Sequence, residues 1–542
     1  MAIKKYVASA DNTIVNTYKE NLTKRATGSN AGAADIIETY SIYGRQSSGS
    51  AELSRILIKF PISQITTDRS NNKIPGSGSV KFYLKLHSAA SSKTVPSGTF
   101  TMVAEPISKN WQEGYGLDLE SYADQTNGNI GSNWMSASDS VAWTKAGGDY
   151  ITAANAAYPF RWFSQTFYSG LEDFEIDITQ MVELWSAGTL DNYGLGVHFS
   201  GAYEAYYSSS NNAEDYSGGR LKNTTGSTVS YYTKRFFARG TQYFFKRPVI
   251  EARWDSTRRD DRGEVMYSSS LAGVNDNLNT LYLYNYVRGA LTNIPAINKG
   301  AIYVSFYSGS DDNSEPSGQA ASSSAATRAA IQLPTTLPHG HVSSLNPFVV
   351  TGGWVATGIY TASFAITGAR APLTKVFDVW HDGTGKNKPW TSVEYATASF
   401  SPTNLSASQT VAKPVYFINI TNLRESYVSN ETARFNLFVR NKDWSPNIYT
   451  VANSTVETTT IHSASYRVFR IIDALEVVPY GTGSDAHTIL SHDVSGNYFD
   501  FDMSLLDPGY EYAFKFSFYD SAMYSWSEQP ELFKFRVIDN EY

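Results

Sequence analysis

The 542-residue sequence contains no cysteine, which excludes a disulfide framework and any zinc site that is built on thiolates. It also lacks an excess of positive charge, because 44 lysines and arginines face 51 aspartates and glutamates and leave a net charge of −7. A protein that holds nucleic acid through its phosphates needs the opposite balance. We therefore expect no nucleic-acid partner.

Long apolar runs are missing as well. No uncharged apolar stretch approaches the roughly 18 to 20 residues that span a bilayer, so we expect neither a membrane helix nor a membrane partner. The first segment, MAIKKYVASADNTIV, has no apolar part of signal-peptide length, and we expect no secretory export. A chain that folds without disulfides must be held together by packing and by partner contacts.

Aromatic residues, in contrast, are abundant, since the chain has 37 tyrosines, 28 phenylalanines and 11 tryptophans. Hydrophobic residues make up 42% of the sequence and charged residues 18%, so the chain can bury sizeable cores, and its length suggests roughly three or four domains. Tyrosine combines a large apolar ring with a hydroxyl group that can hydrogen-bond. Tyrosine-rich surfaces therefore suit protein assembly or sugar binding.

Alternation of apolar and polar residues with period two is the dominant local pattern. It predicts antiparallel strands that turn one face to a core and the other to water. The segments with this pattern are Arg55–Ile62, Lys81–Leu86, Ile302–Phe306, Phe435–Val439, Tyr512–Phe518 and Phe533–Val537. Because they recur from end to end, the sequence predicts an all-β fold of tandem antiparallel β-sandwiches.

One segment has helical spacing instead. Apolar residues stand at positions i, i+3, i+4 and i+7 from Ile178 to Trp185. The spacing predicts a short helix near residues 178–187, with Thr179 as its cap and Gly188 at its end. We interpret this helix as a structural element that closes one end of a sandwich.

Composition divides the chain at two places. The charged, turn-rich stretch Asp255–Gly263 follows a strand pattern and predicts the end of a first domain. The Ser/Thr/Asn-rich stretch Ser399–Thr410 predicts a second boundary. The Ser/Ala/Gly tract Ser317–Ala330 lies between two strand patterns and is predicted to be a long loop within the second domain. The predicted domains are residues 1–255, 256–410 and 411–542.

A turn motif marks the last predicted domain. The segment Leu506–Tyr512, LDPGYEY, places a Pro-Gly turn just ahead of an alternating strand. Immunoglobulin-like and fibronectin-like sandwiches fix the beginning of a late strand with such a turn and a tyrosine hydroxyl that bonds back to the backbone. The motif favours an immunoglobulin-like sandwich at the C-terminus, and an ordinary turn before an aromatic strand is the competing interpretation.

Few residues have the spacing of metal ligands. His339 and His341 form a close histidine pair, but no carboxylate accompanies them, so a polar loop is the favoured interpretation. The acidic segments Ser310–Asn313 and Asp378–Asp382 lack the spacing of an EF-hand loop and are interpreted as solvated turns, with Ca²⁺ binding as the alternative.

A row of carboxylates is the other candidate metal site. Asp173, Glu175 and Asp177 alternate with apolar residues, which places all three on one face of a predicted strand. Such a row is typical of a solvated strand face, and Ca²⁺ binding is the competing hypothesis. No phosphate-binding loop, serine elbow or kinase signature occurs in the sequence. We therefore predict no catalytic residue and no cofactor other than a Ca²⁺ ion at most.

Basic and aromatic residues alternate along Tyr231–Trp254. Stacking platforms for nucleic acid or sugar have this composition. A hairpin that packs its aromatic rings inward and pairs its cations with nearby acids explains the same residues and is the favoured interpretation.

Several motifs in the first half resemble the DNRLRE domain. They are Asp11–Ile14, Arg55–Phe60, Trp111–Gly114, and Asp177–Thr179 with the following Val182, Trp185, Gly188, Asn192 and Gly194. The resemblance covers roughly residues 1 to 255. It implies a jelly-roll β-sandwich related to carbohydrate-binding modules, of a family found in secreted surface proteins and in virion proteins of tailed phages.

The residues that follow resemble a subgroup of that family. Arg247–Trp254, Asp260–Gly263 and Asp276–Tyr286 are similar to segments of large structural proteins of marine tailed bacteriophages, in which further sandwiches follow the DNRLRE domain. The resemblance implies a non-enzymatic virion protein of the neck, tail, baseplate or fibre. Its partners would be other virion proteins and copies of itself.

Two alternatives to this function stay open. In the first, the chain is a capsid decoration protein or an adhesin that binds host-surface polysaccharide. Four tryptophans are the candidates for stacking on sugar, with burial in the core as the competing interpretation. They are Trp111, Trp134, Trp143 and Trp162. In the second, the chain is a capsule depolymerase, which would need two carboxylates across a cleft.

Overall fold

The protein is described by a computed structural model. It covers residues 2–19, 22–44, 50–89, 99–117, 131–152, 162–208, 219–229, 231–308, 331, 333, 348–367, 373, 375–383, 393–405, 414–450, 452, 458–481, 485–521 and 523–540. The fold is all-β, as the alternation of the sequence predicts, and its strands pair antiparallel with one exception near the C-terminus.

The first part of the chain folds into a sandwich of two sheets, called here the first sandwich. Its strands are β1 Ile3–Val7, β2 Ala10–Val15, β3 Ile36–Ile42, β4 Glu52–Lys59, β5 Lys81–Leu86, β6 Phe100–Pro106, β7 Ser136–Ser138, β8 Val141–Ala142, β9 Phe163–Phe167, β10 Phe174–Asp177, β11 Leu195–Phe199, β12 Tyr231–Phe237 and β13 Val249–Arg253. Two helices, α1 Ile62–Ser70 and α2 Thr179–Ser186, accompany them.

The two sheets of the first sandwich differ in size. The small sheet has the order β1-β13-β5-β10, and the large sheet has the order β12-β3-β4-β11-β6-β9, with β2 also paired to β4. Between them lies an apolar core to which β4 contributes Ile56 and Ile58 and β5 contributes Phe82 and Leu84. Because β1 pairs with β13, the first strand of the chain lies at the edge of the small sheet, beside the last strand of this sandwich.

The large sheet is covered on its other face too. Leu57 of β4 points away from the main core and packs in a second apolar cluster with Trp111, Trp134 and Trp143. Since both faces of β4 are covered, its residues from Leu53 to Ile58 are all buried. This second face carries the candidate functional site.

The described residues of the middle region form a bent six-stranded sheet and a separate hairpin. Its strands are β14 Asn279–Tyr284, β15 Tyr286–Val287, β16 Ala290–Leu291, β17 Ile302–Ser308, β18 Val349–Ala356, β19 Ile359–Phe364, β20 Val376–His381 and β21 Glu394–Phe400. Six of them follow the order β14-β19-β18-β17-β20-β21, while β15 and β16 form a separate hairpin. The rings of Phe306 and Phe364 lie 4.2 Å apart although β18 separates their strands, so the sheet curves around its core.

The C-terminal part is a second two-sheet sandwich, called the C-terminal sandwich. Its strands are β22 Tyr416–Ile420, β23 Ser426–Val428, β24 Thr432–Asn441, β25 Ala464–Arg470, β26 Glu476–Val478, β27 Ser491–Asp493, β28 Gly496–Asp502, β29 Glu511–Asp520, β30 Ser525–Glu528 and β31 Phe533–Ile538. One sheet has the order β22-β24-β28-β27 and the other β23-β31-β29-β25-β26, with β30 also on β29 and β23 parallel to β31.

The turn motif of this sandwich folds as predicted. The Tyr512 hydroxyl donates a hydrogen bond to the Asp507 carbonyl oxygen at 3.0 Å, just as β29 begins. Phenylalanine rings fill the space between the sheets, with Phe514 stacked on Phe535 at a centroid distance of 4.6 Å. The prediction of a tyrosine-anchored strand is therefore confirmed.

Three local predictions were wrong. Tyr231–Trp254 does not form a hairpin, because β12 pairs with β3 in the large sheet whereas β13 pairs with β1 and β5 in the small one. Thr179 is the first residue of α2 and not its cap; Asp177 instead accepts the Thr179 backbone N–H at 2.9 Å. Asp378 lies in β20 and is fully buried, so its segment is not a solvated turn.

The first and C-terminal sandwiches share a core. Ile3 of β1 and Phe245, in the 3₁₀ turn Phe244–Lys246, belong to the apolar cluster of the C-terminal sandwich. Beside them, the Lys5 ammonium group donates to the Val477 carbonyl oxygen at 3.1 Å. The two sandwiches are therefore in direct apolar and polar contact.

Charged side chains line the rest of this joint. Glu251 is fully buried on the outer face of the small sheet and lies 2.6 Å from Arg253 and 3.5 Å from Lys5. Burial raises the pKa of Glu251, but the cations Lys5, Lys85 and Arg253 outweigh it and hold that pKa well below its usual range. From the C-terminal sandwich, Asp485 accepts the Tyr83 hydroxyl at 2.8 Å.

Further short 3₁₀ turns lie at Asp261–Gly263, Asn275–Asn277 and Met503–Leu505. Among the described residues, no helix has the length and apolar character needed to cross a membrane.

Candidate functional site

A polar pocket of about 560 Å³ opens on the second face of the large sheet. Three adjacent strands supply its floor, because β11 pairs with β4 on one side and with β6 on the other. The period-two alternation of these strands turns Arg55, Glu105 and His198 to the same face. All three side chains are buried and line the pocket.

Arg55 and Glu204 form the central ion pair of the pocket. The Arg55 Nε and Nη2 atoms donate to the two Glu204 carboxylate oxygens at 3.0 and 2.9 Å. Such a bidentate pair fixes both side chains in orientation as well as in charge. Burial raises the pKa of Glu204, but Arg55 and His198 outweigh it and lower that pKa to about 2. Glu204 is therefore an ionised acceptor.

His198 lies between two carboxylates. Its Nε2 atom is 3.3 Å from Glu105 Oε2, and its Nδ1 atom is 2.8 Å from the Phe199 carbonyl oxygen and 3.4 Å from Glu204 Oε1. Burial and the nearby Arg55 lower the pKa of His198, but its hydrogen bonds to Glu105 and Glu204 outweigh them and raise that pKa to about 9. At neutral pH the imidazole carries a proton on both nitrogens.

Tyr150 forms the next wall of the pocket. Its ring packs on Gly196, where a Cβ atom would lie 2.1 Å from a ring carbon, and the Arg55 guanidinium lies 5.3 Å from the ring centroid. The Tyr150 hydroxyl donates to the Gly147 carbonyl oxygen at 2.8 Å. The absence of a side chain at Gly196 thus makes room for the tyrosine over the sheet.

The rim of the pocket is held by Asp149. Its carboxylate oxygens accept the backbone N–H groups of Thr144 and Lys145, both at 2.9 Å. Burial raises the pKa of Asp149, but these backbone bonds outweigh it and hold that pKa below its usual range. The exposed Lys145 side chain lines the opening. The pocket therefore combines ordered donors and acceptors, an arrangement that suits a ligand rich in hydroxyl groups.

The same geometry bears on hydrolysis. Glycoside cleavage uses one protonated carboxyl group as acid and one carboxylate as base or nucleophile. Here Glu105 and Glu204 share one imidazolium, and Glu204 is ionised in a bidentate pair with Arg55. Glu204 is therefore arranged as a fixed acceptor for cations rather than as a protonated acid.

Three of the four candidate tryptophans are core residues. Trp111, Trp134 and Trp143 are at most 6% exposed, and each ring nitrogen donates to a backbone carbonyl oxygen at 2.6 to 2.9 Å. They fill the cluster that covers the large sheet and present no free ring face to a sugar, so for them the stacking hypothesis is wrong. Trp162, which directly precedes β9, is 49% exposed and keeps that role as a hypothesis.

The three candidate metal-binding carboxylates share a strand face but have separate partners. Asp173 lies 2.9 Å from His87 Nδ1, Glu175 lies 2.8 Å from Arg253, and Asp177 caps α2. Within the described ranges, no group of three or more potential ligand side chains could hold a metal ion. The geometry therefore assigns these carboxylates to ion pairs and capping.

The remaining metal candidates are distributed differently. His339, His341 and Ser310–Asn313 lie outside the described residues, as does the Ser317–Ala330 tract. Asp378 binds the Arg262 guanidinium through both carboxylate oxygens, at 2.7 and 2.8 Å. This pair ties the segment after the first sandwich to the middle sheet.

The motif residues that carry the family resemblance hold loops together. Glu113 accepts the Asp11 backbone N–H at 2.8 Å and pairs with Arg239 at 2.9 Å, while Asp11 accepts the Arg239 backbone N–H. Burial raises the pKa of Asp11 to about 7, against the lowering effect of the Arg239 bond. These contacts join β2 to loops far away in sequence, so the motif has a structural explanation in this chain.

Sequence patterns did not single out the pocket residues. Arg55 was visible as the polar side of an alternating strand, but Glu105, Tyr150, His198 and Glu204 are far apart in sequence and share no spacing. The available signal was His198, a polar residue between the strongly apolar Val197 and Phe199. Pairing of β11 with β4 and β6 is what brings these residues together.

No family model matches the chain, and no curated protein matches it either. Among solved structures, the chain is similar to the tandem Ig repeats of Dlar, at 11% identity over 37% of this chain and 78% of the other, with a TM-score of 0.12. A marsupial T cell receptor matches at 8% identity over 53% of this chain and 71% of the other, with a TM-score of 0.15. Scores this low add nothing to what the strands themselves show.

Proposed function

We propose that this chain is a non-enzymatic structural component of a tailed phage particle, located in its neck, tail, baseplate or fibre. It acts through contacts with other virion proteins and with copies of itself. The observation that carries the proposal is the joint between the first and C-terminal sandwiches, where Ile3 and Phe245 enter the C-terminal core and Asp485 reaches back to Tyr83. A joint of this kind fixes the relative orientation of the two sandwiches, and a structural component of a particle needs such rigidity.

The segment after the first sandwich supports the same proposal. The Asp260 backbone N–H donates to the His492 carbonyl oxygen at 3.1 Å, and the His492 N–H donates to the Arg258 carbonyl oxygen at 3.0 Å. This segment therefore joins the C-terminal sandwich like an added strand, while Arg262 binds Asp378 of the middle sheet. The segment from Arg258 to Arg262 therefore connects the first sandwich, the middle sheet and the C-terminal sandwich.

Exposed tyrosines supply surfaces for assembly. Tyrosine side chains are more than half exposed on all three regions, and an exposed ring with a hydroxyl group is a common contact at protein interfaces. These tyrosines include Tyr168, Tyr231, Tyr286, Tyr449 and Tyr524.

Imaging of the phage particle tests the proposal. Particles purified from the phage that encodes this chain are analysed by mass spectrometry and cryo-electron microscopy. We expect the chain in stoichiometric amounts, at a position whose symmetry identifies neck, tail, baseplate or fibre. Washed particles that lack the chain would refute a structural role.

The polar pocket favours a second candidate function, binding of host-surface polysaccharide by the first sandwich. A glycan array with the full chain tests it, using K145A for the pocket and W162A for the exposed ring. The matched control is W444A, which removes a 38% exposed tryptophan from the C-terminal sandwich. Saturable binding that falls in K145A or W162A but not in W444A supports this function, and release of reducing sugar would indicate hydrolysis instead.

A further inference from the structure

Among the described residues, the small sheet of the first sandwich has an unpaired edge at β1. This strand is the outermost of the order β1-β13-β5-β10. The Ala8 N–H bonds to the Pro248 carbonyl oxygen, and the Ala2 carbonyl oxygen accepts the Trp254 N–H. The backbone N–H and C=O groups of the even-numbered residues of β1 therefore point towards β13. Those of Ile3, Lys5 and Val7 point the other way, away from the sheet. Within the described chain, no residue hydrogen-bonds to them.

These outward groups open into a cleft of about 390 Å³ between the two sandwiches. Ile3, Lys5 and Val7 line one side of it. Thr432 and the turn from Asp502 to Leu505, both in the C-terminal sandwich, line the other. Because the second wall is part of the same chain, an occupant of the cleft has protein on both sides, which favours a single extended segment over the edge of another sandwich. An unpaired strand edge is the template to which an extended peptide adds.

The two faces of the cleft differ in character. On one face, Ile3, Phe245 and Leu505 belong to the apolar core of the C-terminal sandwich. On the other, Lys4 and Lys73 lie beside Asp68, and the Lys73 side chain is 62% exposed. Side chains of an added strand would alternate between these faces. An occupant with apolar residues on one face and carboxylates on the other would match both.

We propose that the β1 cleft binds an extended, acidic segment of a neighbouring protein by strand addition. The segment would pair with Ile3, Lys5 and Val7 through its backbone and would place carboxylates near Lys4 and Lys73. This inference deepens the proposed function, because it names one contact by which a particle subunit would hold the chain, and it rests on that function only for the origin of the segment.

Peptide binding to the purified full chain tests the inference without any particle. The probe is a fluorescein-labelled peptide with four Val-Glu repeats, compared by fluorescence anisotropy with a peptide of four Val-Lys repeats. We expect saturable binding of the acidic peptide that is about tenfold tighter than that of the basic one and weakens with added salt. Equal binding of both peptides, or no binding, would overturn the proposal.

Two variants locate the binding at the edge. In V7P the proline ring removes an outward N–H while the bonds from β1 to β13 stay intact, so the acidic peptide should bind about tenfold more weakly than to the matched control V7A. In K73E the preference should shift towards the Val-Lys peptide. Circular dichroism verifies that each variant folds. If V7P does not fold, the peptide preference of K73E alone tests the proposed binding site.

Equal binding by V7P and V7A would place the peptide elsewhere and overturn the inference. So would a concentration-dependent dimer that V7P abolishes, because the occupant would then be a second copy of this chain. Failure of the peptide to bind leaves the position of the chain in the particle unaffected, so the two proposals fail separately.

Discussion

At the residue scale, His198 makes the stability of the first sandwich depend on pH. Four groups face the imidazole, namely Arg55, Glu105, Tyr150 and Glu204. Since the pKa of His198 rises from 6.5 to about 9 on folding, its protonation stabilises the fold fully below pH 6.5, and this contribution is lost as pH rises through about 9. Glu204 acts in the opposite range, because its pKa falls from 4.5 to about 2, so its contribution is lost as pH falls through about 2.

We therefore expect H198Q to lack the decrease in stability that the raised pKa of His198 gives the wild type above about pH 6.5. The difference in free energy of unfolding between wild type and H198Q should be constant below about pH 6.5 and should shrink between pH 6.5 and 9. Urea unfolding across this range measures it. A difference that stays constant up to pH 9 would show that folding does not raise the pKa of His198.

Gly196 is a second position where one residue decides the geometry of the pocket. In G196A the added methyl group would lie 2.1 Å from the Tyr150 ring and force it off the sheet. We expect a loss of about 1–3 kcal/mol in unfolding free energy. The control is G76A, because a Cβ at Gly76 meets nothing within 4 Å. Equal stability of the two variants, measured by urea unfolding, would contradict the packing of Tyr150 described above.

At the scale of elements, local sequence predicted where strands lie and which face of each strand is buried, but not which strands pair with each other. Alternation located β4, β5, β17, β24, β29 and β31, and the helical spacing located α2. It placed β12 and β13 in one hairpin because they are adjacent in sequence, whereas the turn at Phe244–Lys246 leads the chain from the large sheet to the small one. A period-two pattern states which face is buried but carries no information on the partner strand.

The tyrosine corner is an element whose contribution can be measured. In Y512F the Asp507 carbonyl oxygen loses its 3.0 Å bond while the ring stays in the core. We expect a loss of about 1 kcal/mol in unfolding free energy, visible as a lower urea midpoint with an unchanged slope. The matched control Y524F removes a hydroxyl from a side chain that is 85% exposed and should change nothing. Identical midpoints would refute an anchoring role for this hydroxyl.

At the scale of the whole molecule, the joint between the sandwiches determines whether they unfold together. Asp485 contacts Tyr83 at 2.8 Å, Lys81 at 3.4 Å and Arg253 at 3.8 Å, all across this joint. Its loss removes the hydrogen bond from Tyr83 and one of the carboxylates beside Lys81 and Arg253, which weakens the polar contact across the joint. The apolar contacts of Ile3 and Phe245 persist, so the joint is weakened but not abolished.

We expect D485A to weaken the coupling between the two sandwiches. Calorimetry should show one thermal transition of the wild type resolving into two, with faster amide exchange along β1 and β13. The control D539A removes an exposed carboxylate beyond β31 and should leave the transition unchanged. If D485A unfolds like D539A, the charged residues of the joint do not couple the sandwiches.

The sequence by itself determined the fold class, the short helix and the tyrosine corner, because each is encoded by residues a few positions apart. It also excluded thiol chemistry, since no cysteine is present. Only the tertiary structure decided the burial of Trp111, Trp134 and Trp143, the pocket around His198 and the cleft along β1. These features depend on pairing between strands that are far apart in sequence, and no local periodicity records which distant strand becomes a neighbour.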